Sequence, residues 1–340
     1  MDALAVELDE RLHDAIEAGR AQGLHGVVVL HHGEVVLERY GAGEDFSWGD
    51  SLGHVTFGPD TLHDVRSVSK SVTALVYGIA LEAGLVPEPQ ESLLRNFPQY
   101  PDLMADPERA GLTVEHALTM TLGLEWNEDV PYTSTANSEI AMEMAPDRFR
   151  FVLERPIAEP PGERWHYCGG ATALLGWLIE RGAGERLPDV ARRVLFAPLG
   201  IDAFDWMSGD DGVAAAASGL RLTPRSLVRI GELVLAGGVW NGGQVVPARW
   251  LDRALRPFVA IEEDFEYGYQ WYLGTTDPKV GPGGARTRWV GGIGNGGQHL
   301  FVATDLDLVV VVTAGNYDTE DQWVTPTTVI DDVVLPSIRP

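Results

Sequence analysis

Ser67 and Lys70 stand three residues apart in the run Val65-Arg66-Ser67-Val68-Ser69-Lys70-Ser71. On a helix that spacing puts both side chains on one face, within reach of each other. A serine hydroxyl is a weak nucleophile until a base takes its proton, and Lys70 is the candidate base. Between Ser67 and Leu81 it is the one charged residue, set among Val68, Val72, Leu75, Val76 and Ile79. A helix apolar nearly all round is buried, and a desolvated amine releases its proton more readily than a guanidinium ever does. The chain itself draws that distinction: of 25 basic residues, only Lys70 and Lys279 are lysines. Ser67 falls at the expected helix start, where free N–H groups and the positive dipole end favour a developing negative charge.

Two further runs carry polar chemistry. Trp165-His166-Tyr167-Cys168-Gly169-Gly170 precedes an apolar helical stretch, so Tyr167 sits at a turn from which a phenol can enter a cleft. Cys168 beside His166 raises a thiol enzyme as a rival, but neighbours in sequence do not face each other on a helix, and a lone cysteine usually acts as a small buried hydrophobe. In Gly291-Gly292-Ile293-Gly294-Asn295-Gly296-Gly297-Gln298, Gly292, Gly294 and Gly297 satisfy G-x-G-x-x-G. A dinucleotide fingerprint must lead from a strand into a helix. Here the next residues, His299 to Ala303 and Leu306 to Thr313, read as strands joined by a turn, so a nicotinamide-linked oxidoreductase is set aside. Glycines in a strand let a substrate lie against the backbone and offer N–H donors to an oxyanion. Trp126, Trp165 and Trp289 lie beside these runs and are candidates for the pocket wall, as is Tyr132 in the polar stretch after Trp126.

The elements that must position these groups follow from periodicity and punctuation. Residues 2–21 read as a helix; Gly26–Leu30 and Glu34–Tyr40 as a hairpin; 41–60 as loop; Ser67 to Leu85 as a long buried helix. Thr113 and Thr223 read as helix caps, the latter followed by Pro224 at the first helical position. Residues 127–140 read as a polar surface loop. The last hundred residues turn β-rich and close on a helix over Trp323–Ile338. Strands at both ends with helices between them imply an α+β fold with one antiparallel sheet. The expected organisation is a single catalytic unit over 1–340, with α/β portions at 1–60 and 240–340 and a mainly helical portion at 61–239.

Bulk properties narrow the partners. The formal charge of −25 over 340 residues repels a phosphate backbone or an anionic membrane surface, so neither nucleic acid nor membrane is an expected partner. One cysteine permits no intrachain disulfide. The acidic, amphipathic N-terminus has no leader pattern, and no apolar run approaches the roughly 18 residues of a membrane helix. A cytoplasmic protein acting on a small molecule, without metal or cofactor, is the expectation; oligomeric state is not encoded in any pattern seen.

Taken in order, these runs resemble the β-lactamase-related serine hydrolases, a group of class C β-lactamases, D-alanyl-D-alanine carboxypeptidases and esterases, and most of all its aminohexanoate-oligomer hydrolase branch. The likeness spans nearly the whole chain. It includes Leu118-Thr119-Met120-Thr121-Leu122-Gly123-Leu124-Glu125-Trp126, Pro161-Gly162-Glu163-Arg164-Trp165-His166-Tyr167, Pro198-Leu199-Gly200-Ile201 and Ser218-Gly219-Leu220-Arg221-Leu222-Thr223-Pro224. The resemblance implies a β-lactamase/transpeptidase-like fold and cleavage of an amide or ester through an acyl-Ser67 intermediate. Lys70 would be the base and Tyr167 the proton relay, with oxyanion donors from the N–H of Ser67 and from Gly292, Gly294 or Asn295. Its alternative is a catalytically silent relative that binds a small ligand or peptide. Two departures stand out. The family's second box, Y-x-N, is Tyr167-Cys168-Gly169 here, and the third, K-T-G or H-x-G, is Gly292-Ile293-Gly294. The group that grips a β-lactam carboxylate is thus missing, a loss of roughly 1.5–3 kcal/mol for a charged hydrogen bond. β-Lactamase activity is expected to be weak or absent.

Overall fold

The structure, a computed structural model, describes residues 3–339. Its centre is an eight-stranded antiparallel sheet. The strands are β1 (Leu24–His31), β2 (Glu34–Tyr40), β3 (Val259–Glu262), β4 (Phe265–Tyr267), β5 (Tyr272–Thr275), β6 (Arg288–Gly294), β7 (Gln298–Ala303) and β8 (Leu308–Ala314). They lie in the order β3-β4-β5-β6-β7-β8-β1-β2, so the two ends of the chain meet where β1 pairs with β8.

Both faces of this sheet are covered, which is why Val27–Leu30 of β1 and Leu308–Val312 of β8 are unbroken apolar runs rather than alternating. Val27, Val29, Val310 and Val312 face α1 (Ala3–Glu17), through Leu8 and Leu12, and the C-terminal helical run, through Val329 and Val333. Val28, Leu30, Val309 and Val311 face the larger core. That core takes in α2 (Val68–Glu82), the short α3 (Val114–Leu118), α5 (Gly169–Ala183) and α6 (Pro224–Leu235). Between α3 and α5 lies α4 (Ser138–Glu143), capped by the Asn137 side chain.

The expected elements are found with shifted ends, and two expectations need correction. Residues 41–60 are not loop: Ala42–Ser47 and Asp50–Thr56 pair as a hairpin. Its polar sequence gives no alternation, because what holds it is tertiary. The Arg221 guanidinium donates to buried Asp45 at 2.7 Å, and the Trp48 backbone N–H donates to Asp64 at 2.8 Å. The stretch 127–140 is not all surface loop either: it turns into α4 at Ser138, and Asn137 and Glu139 are buried.

α2 is the element everything else fixes. Twelve of its fifteen residues are buried, and Gly78 lets it approach Trp250, whose ring lies 2.2 Å from where a Cβ would stand. Gly78→Ala is therefore expected to destabilise the fold by about 1–3 kcal/mol through overpacking, read as a lower urea midpoint at unchanged slope.

Candidate active site

Ser67 is the residue before the first turn of α2, the position where a serine normally caps a helix. Its hydroxyl makes no capping bond. It turns instead to two partners: Lys70 Nζ donates to Ser67 Oγ at 3.0 Å, and the Tyr167 hydroxyl donates to the same oxygen at 2.6 Å. Residues 100 positions apart in sequence thus converge on one atom.

The approach to Ser67 is strained. Arg66 has φ +47, a left-handed conformation costing about 1–3 kcal/mol for a residue with a side chain. Asp64 holds it there: the Arg66 N–H donates to Asp64 Oδ1 at 3.1 Å, and Arg66 Nε lies 3.2 Å from Asp64 Oδ2. The guanidinium also rests 4.8 Å above the Tyr317 ring. β6 packs against this turn from the other side, with the Gly294 Cα so close that a Cβ would stand 2.5 Å from the Val65 carbonyl.

Lys70 is 2% exposed, as its apolar helix predicts, but it is not an isolated charge. Besides Ser67 it donates to the Ala217 carbonyl at 3.0 Å, lies 4.8 Å from the Tyr167 ring centre, and has Glu139 Oε2 at 3.9 Å. Burial and the nearby Glu128 and Glu139 carboxylates push the Tyr167 phenol well above its ordinary range, against the opposing pull of its bond to Ser67. Tyr167 is a neutral phenol at physiological pH, fitted to carry a proton rather than to wait as a phenolate. The Cys168 thiol is buried and pushed far up by that burial, which disposes of the thiol reading.

Glu128 and Glu139 were hidden in the sequence among polar residues. Glu128 accepts from Trp126 Nε1 at 2.5 Å, the Tyr132 hydroxyl at 2.7 Å and the Gly169 N–H at 2.6 Å. Burial and the Glu139 carboxylate push it up to about 7, against Lys70, the Tyr132 hydroxyl and the Gly169 N–H. Glu139 accepts from the Ser218 hydroxyl through Oε1, while Oε2 has no hydrogen-bond partner.

Ser67 opens on a cavity of about 720 Å³. Trp126, Tyr132, Trp165, Tyr167 and Trp289 line it, and so do Phe265, Tyr272 and Trp323. Asn295 reaches the wall, but its side chain is engaged in a reciprocal pair with Asp318, donating at 3.0 Å and accepting at 3.2 Å. Gly292 and Gly294 do not line the cavity. They are buried, and a Cβ on Gly292 would meet Ser71 and Val68 at 3.1 Å, so these glycines serve the close approach of β6 to α2 and to the Ser67 turn. His299 was missed: it pairs with Ile293 across β6 and β7, lines the cavity, and burial pushes its imidazole down to about 4. A histidine on a strand leaves no local signature of that placement.

Comparison with known proteins places the chain in a family and a fold. The Beta-lactamase family model matches residues 9–332. A 6-aminohexanoate-dimer hydrolase of Paenarthrobacter ureafaciens is 27% identical over 334 residues, covering 92% of this chain and 76% of that protein. Among solved structures, EstCE1, described as a hydrolase with promiscuous acyltransferase activity, superposes with a TM-score of 0.74 at 17% identity, over 98% of both chains. A β-lactamase/D-alanine carboxypeptidase from Pseudomonas syringae gives 0.70 at 16% identity, over 98% of this chain and 100% of that one. With an α+β, β-lactamase/transpeptidase-like fold and a family match over nearly its whole length, the chain belongs to the β-lactamase family of hydrolases.

Proposed function

We propose that the protein is a serine hydrolase that cleaves an amide or ester of a small molecule through an acyl-Ser67 intermediate. The observation that carries this is the convergence of Lys70 and Tyr167 on Ser67 Oγ, at 3.0 and 2.6 Å, at the mouth of a cavity. Lys70, when neutral, takes the Oγ proton through that same contact as Oγ attacks the carbonyl carbon. The N–H groups of Ser67 and Asn295 are the proposed oxyanion donors. Tyr167 hands its proton to the leaving nitrogen or oxygen and is refilled from Lys70; water then attacks the acyl ester and frees Ser67. The names of the relatives support hydrolysis as the reaction class.

The cavity supports a neutral or cationic substrate. Among the described residues no lysine or arginine lines it, while Glu128 and Asp129 do, between aromatic walls. A side chain at position 292, where the family places a cation or imidazole, would start tight against Ser71 and Val68, 3.1 Å from its Cβ. A nitrophenyl butyrate is expected to exceed a nitrophenyl hemisuccinate in kcat/KM by about ten-fold or more, the scale of one missing charged hydrogen bond, and penicillins are expected to be poor substrates. Equal or better turnover of the carboxylate-bearing ester, at matched ionic strength, would refute this assignment of substrate charge.

A further inference from the structure

The second family box has lost its asparagine, and the structure holds something in that place. Position 169 is glycine at the first turn of α5. A Cβ built there would lie 2.6 Å from Glu139 Oε2 and 3.0 Å from Glu128 Oε1. Two carboxylates, Glu139 buried and Glu128 half-buried, therefore occupy the space into which a second-box side chain would project. They come from different elements, Glu128 from the loop after Trp126 and Glu139 from α4. Their hydrogen bonds are unequal. Glu128 accepts from an indole, a phenol and the Gly169 N–H, and is fully engaged. Glu139 is held at one oxygen by Ser218, and its other oxygen is buried, without a hydrogen bond, and 3.9 Å from Lys70 Nζ. Lys70 spends two of its donors on Ser67 and Ala217. A buried carboxylate oxygen left without a donor carries a desolvation cost unless a charge offsets it, and Lys70 Nζ, 3.9 Å away, is the group in place that can carry one.

We infer that Glu128 and Glu139 are positioning residues that replace the second-box side chain, holding Lys70 over Ser67 and stabilising the ammonium it becomes on taking the serine proton. The inference rests on the reading of Lys70 as the base. The proton balance is simple: the Oγ–H bond breaks, an Nζ–H bond forms, and the new ammonium stands beside a carboxylate already present. The groups facing the two carboxylates are Lys70 from α2, Tyr132 from the loop, Tyr167 and Cys168 from the turn into α5, Tyr267 from β4, Tyr272 from β5, Glu143 at the end of α4 and Arg148 beyond it. Only Lys70 and Arg148 are cations, and Arg148 is committed to Glu143 and Asp211.

The test compares wild type, Glu139→Gln and Glu128→Gln for nitrophenyl butyrate turnover from pH 5 to 10, with fluorophosphonate labelling of Ser67 and the melting temperature recorded for each. Removing the carboxylate nearest the amine lets it lose its proton at lower pH. The limb along which activity rises with pH is expected to move down by about one unit in Glu139→Gln. Its plateau kcat should fall by about ten-fold, with KM changed less than about three-fold. Glu128→Gln moves the limb the same way by a smaller step. A role confined to packing would change the melting temperature and leave the limb in place. Limbs coinciding with wild type in both variants overturn the inference; should Glu139→Gln not fold, an unmoved limb in Glu128→Gln overturns it alone. Failure of wild-type labelling at Ser67 is a different result, and sinks the proposed function rather than this pairing.

Discussion

Ser67→Ala is expected to lower ester turnover by roughly 10³-fold or more and to abolish fluorophosphonate labelling, with the melting temperature little changed. The reasoning is local. Ser67 Oγ is the atom on which the Lys70 and Tyr167 hydrogen bonds converge, and it makes no capping bond to α2. Its removal costs the helix nothing that it was using, so the loss falls on chemistry rather than on folding. What remains is binding and any polarisation by the oxyanion donors, neither of which forms an acyl ester. The experiment is an intact-mass measurement after exposure to the probe, alongside initial rates. Covalent labelling that survives the substitution would mean that another nucleophile is used, and Cys168, whose thiol is buried and held protonated, offers none.

Lys70→Arg should be nearly as damaging, and it discriminates between charge and proton transfer. Arginine keeps the positive charge beside Glu139 and can still donate to the Ala217 carbonyl, but it does not release a proton in the accessible pH range. A general base contributes about 10²–10⁴-fold, so kcat is expected to fall by that factor across pH 6–10, with KM affected far less. The guanidinium is also wider than the amine in a site where Lys70 is 2% exposed. Lys70→Met, of similar length and uncharged, is therefore measured beside it, and the same loss is expected there. Retained activity in Lys70→Arg would assign the base elsewhere. Tyr167 would then be the remaining group in contact with Oγ, although burial and two carboxylates hold its phenol neutral.

The pieces of this site differ in how far local sequence announces them. Ser67 and Lys70 are legible because a helical repeat alone brings them together, and because a single charge in an apolar helix is conspicuous. Thr113 and Thr223 are legible for a similar reason. A cap acts on residues two or three positions away, and both side chains accept the expected backbone N–H, from His116 and Ser226. The central strands are legible as apolar runs, and the family resemblance supplied Tyr167. The hairpin over 42–56 was not legible. Its composition is that of a loop, and it is held by Arg221 and Asp64, which lie outside it in the chain.

Glu128 and Glu139 mark the boundary most clearly. In the sequence they are two acids in a polar stretch, where charged residues ordinarily face water. In the fold, Trp126, Tyr132 and the Gly169 N–H close around one, and Ser218 and Lys70 around the other. Every one of those contacts to Glu139 crosses more than sixty positions of chain, so no window of sequence contains them. Sequence alone determined which residue carries the hydroxyl, which carries the amine, and the helix that keeps them one turn apart, because these follow from short-range geometry. The tertiary structure decided what surrounds that pair: the phenol delivered from 100 residues away, the strained Arg66 turn clamped by Asp64, the close packing of Gly292 on Ser71 and Val68, and the carboxylates packed against Gly169. Burial and charge environment are sums over neighbours in space, and only the folded chain chooses those neighbours.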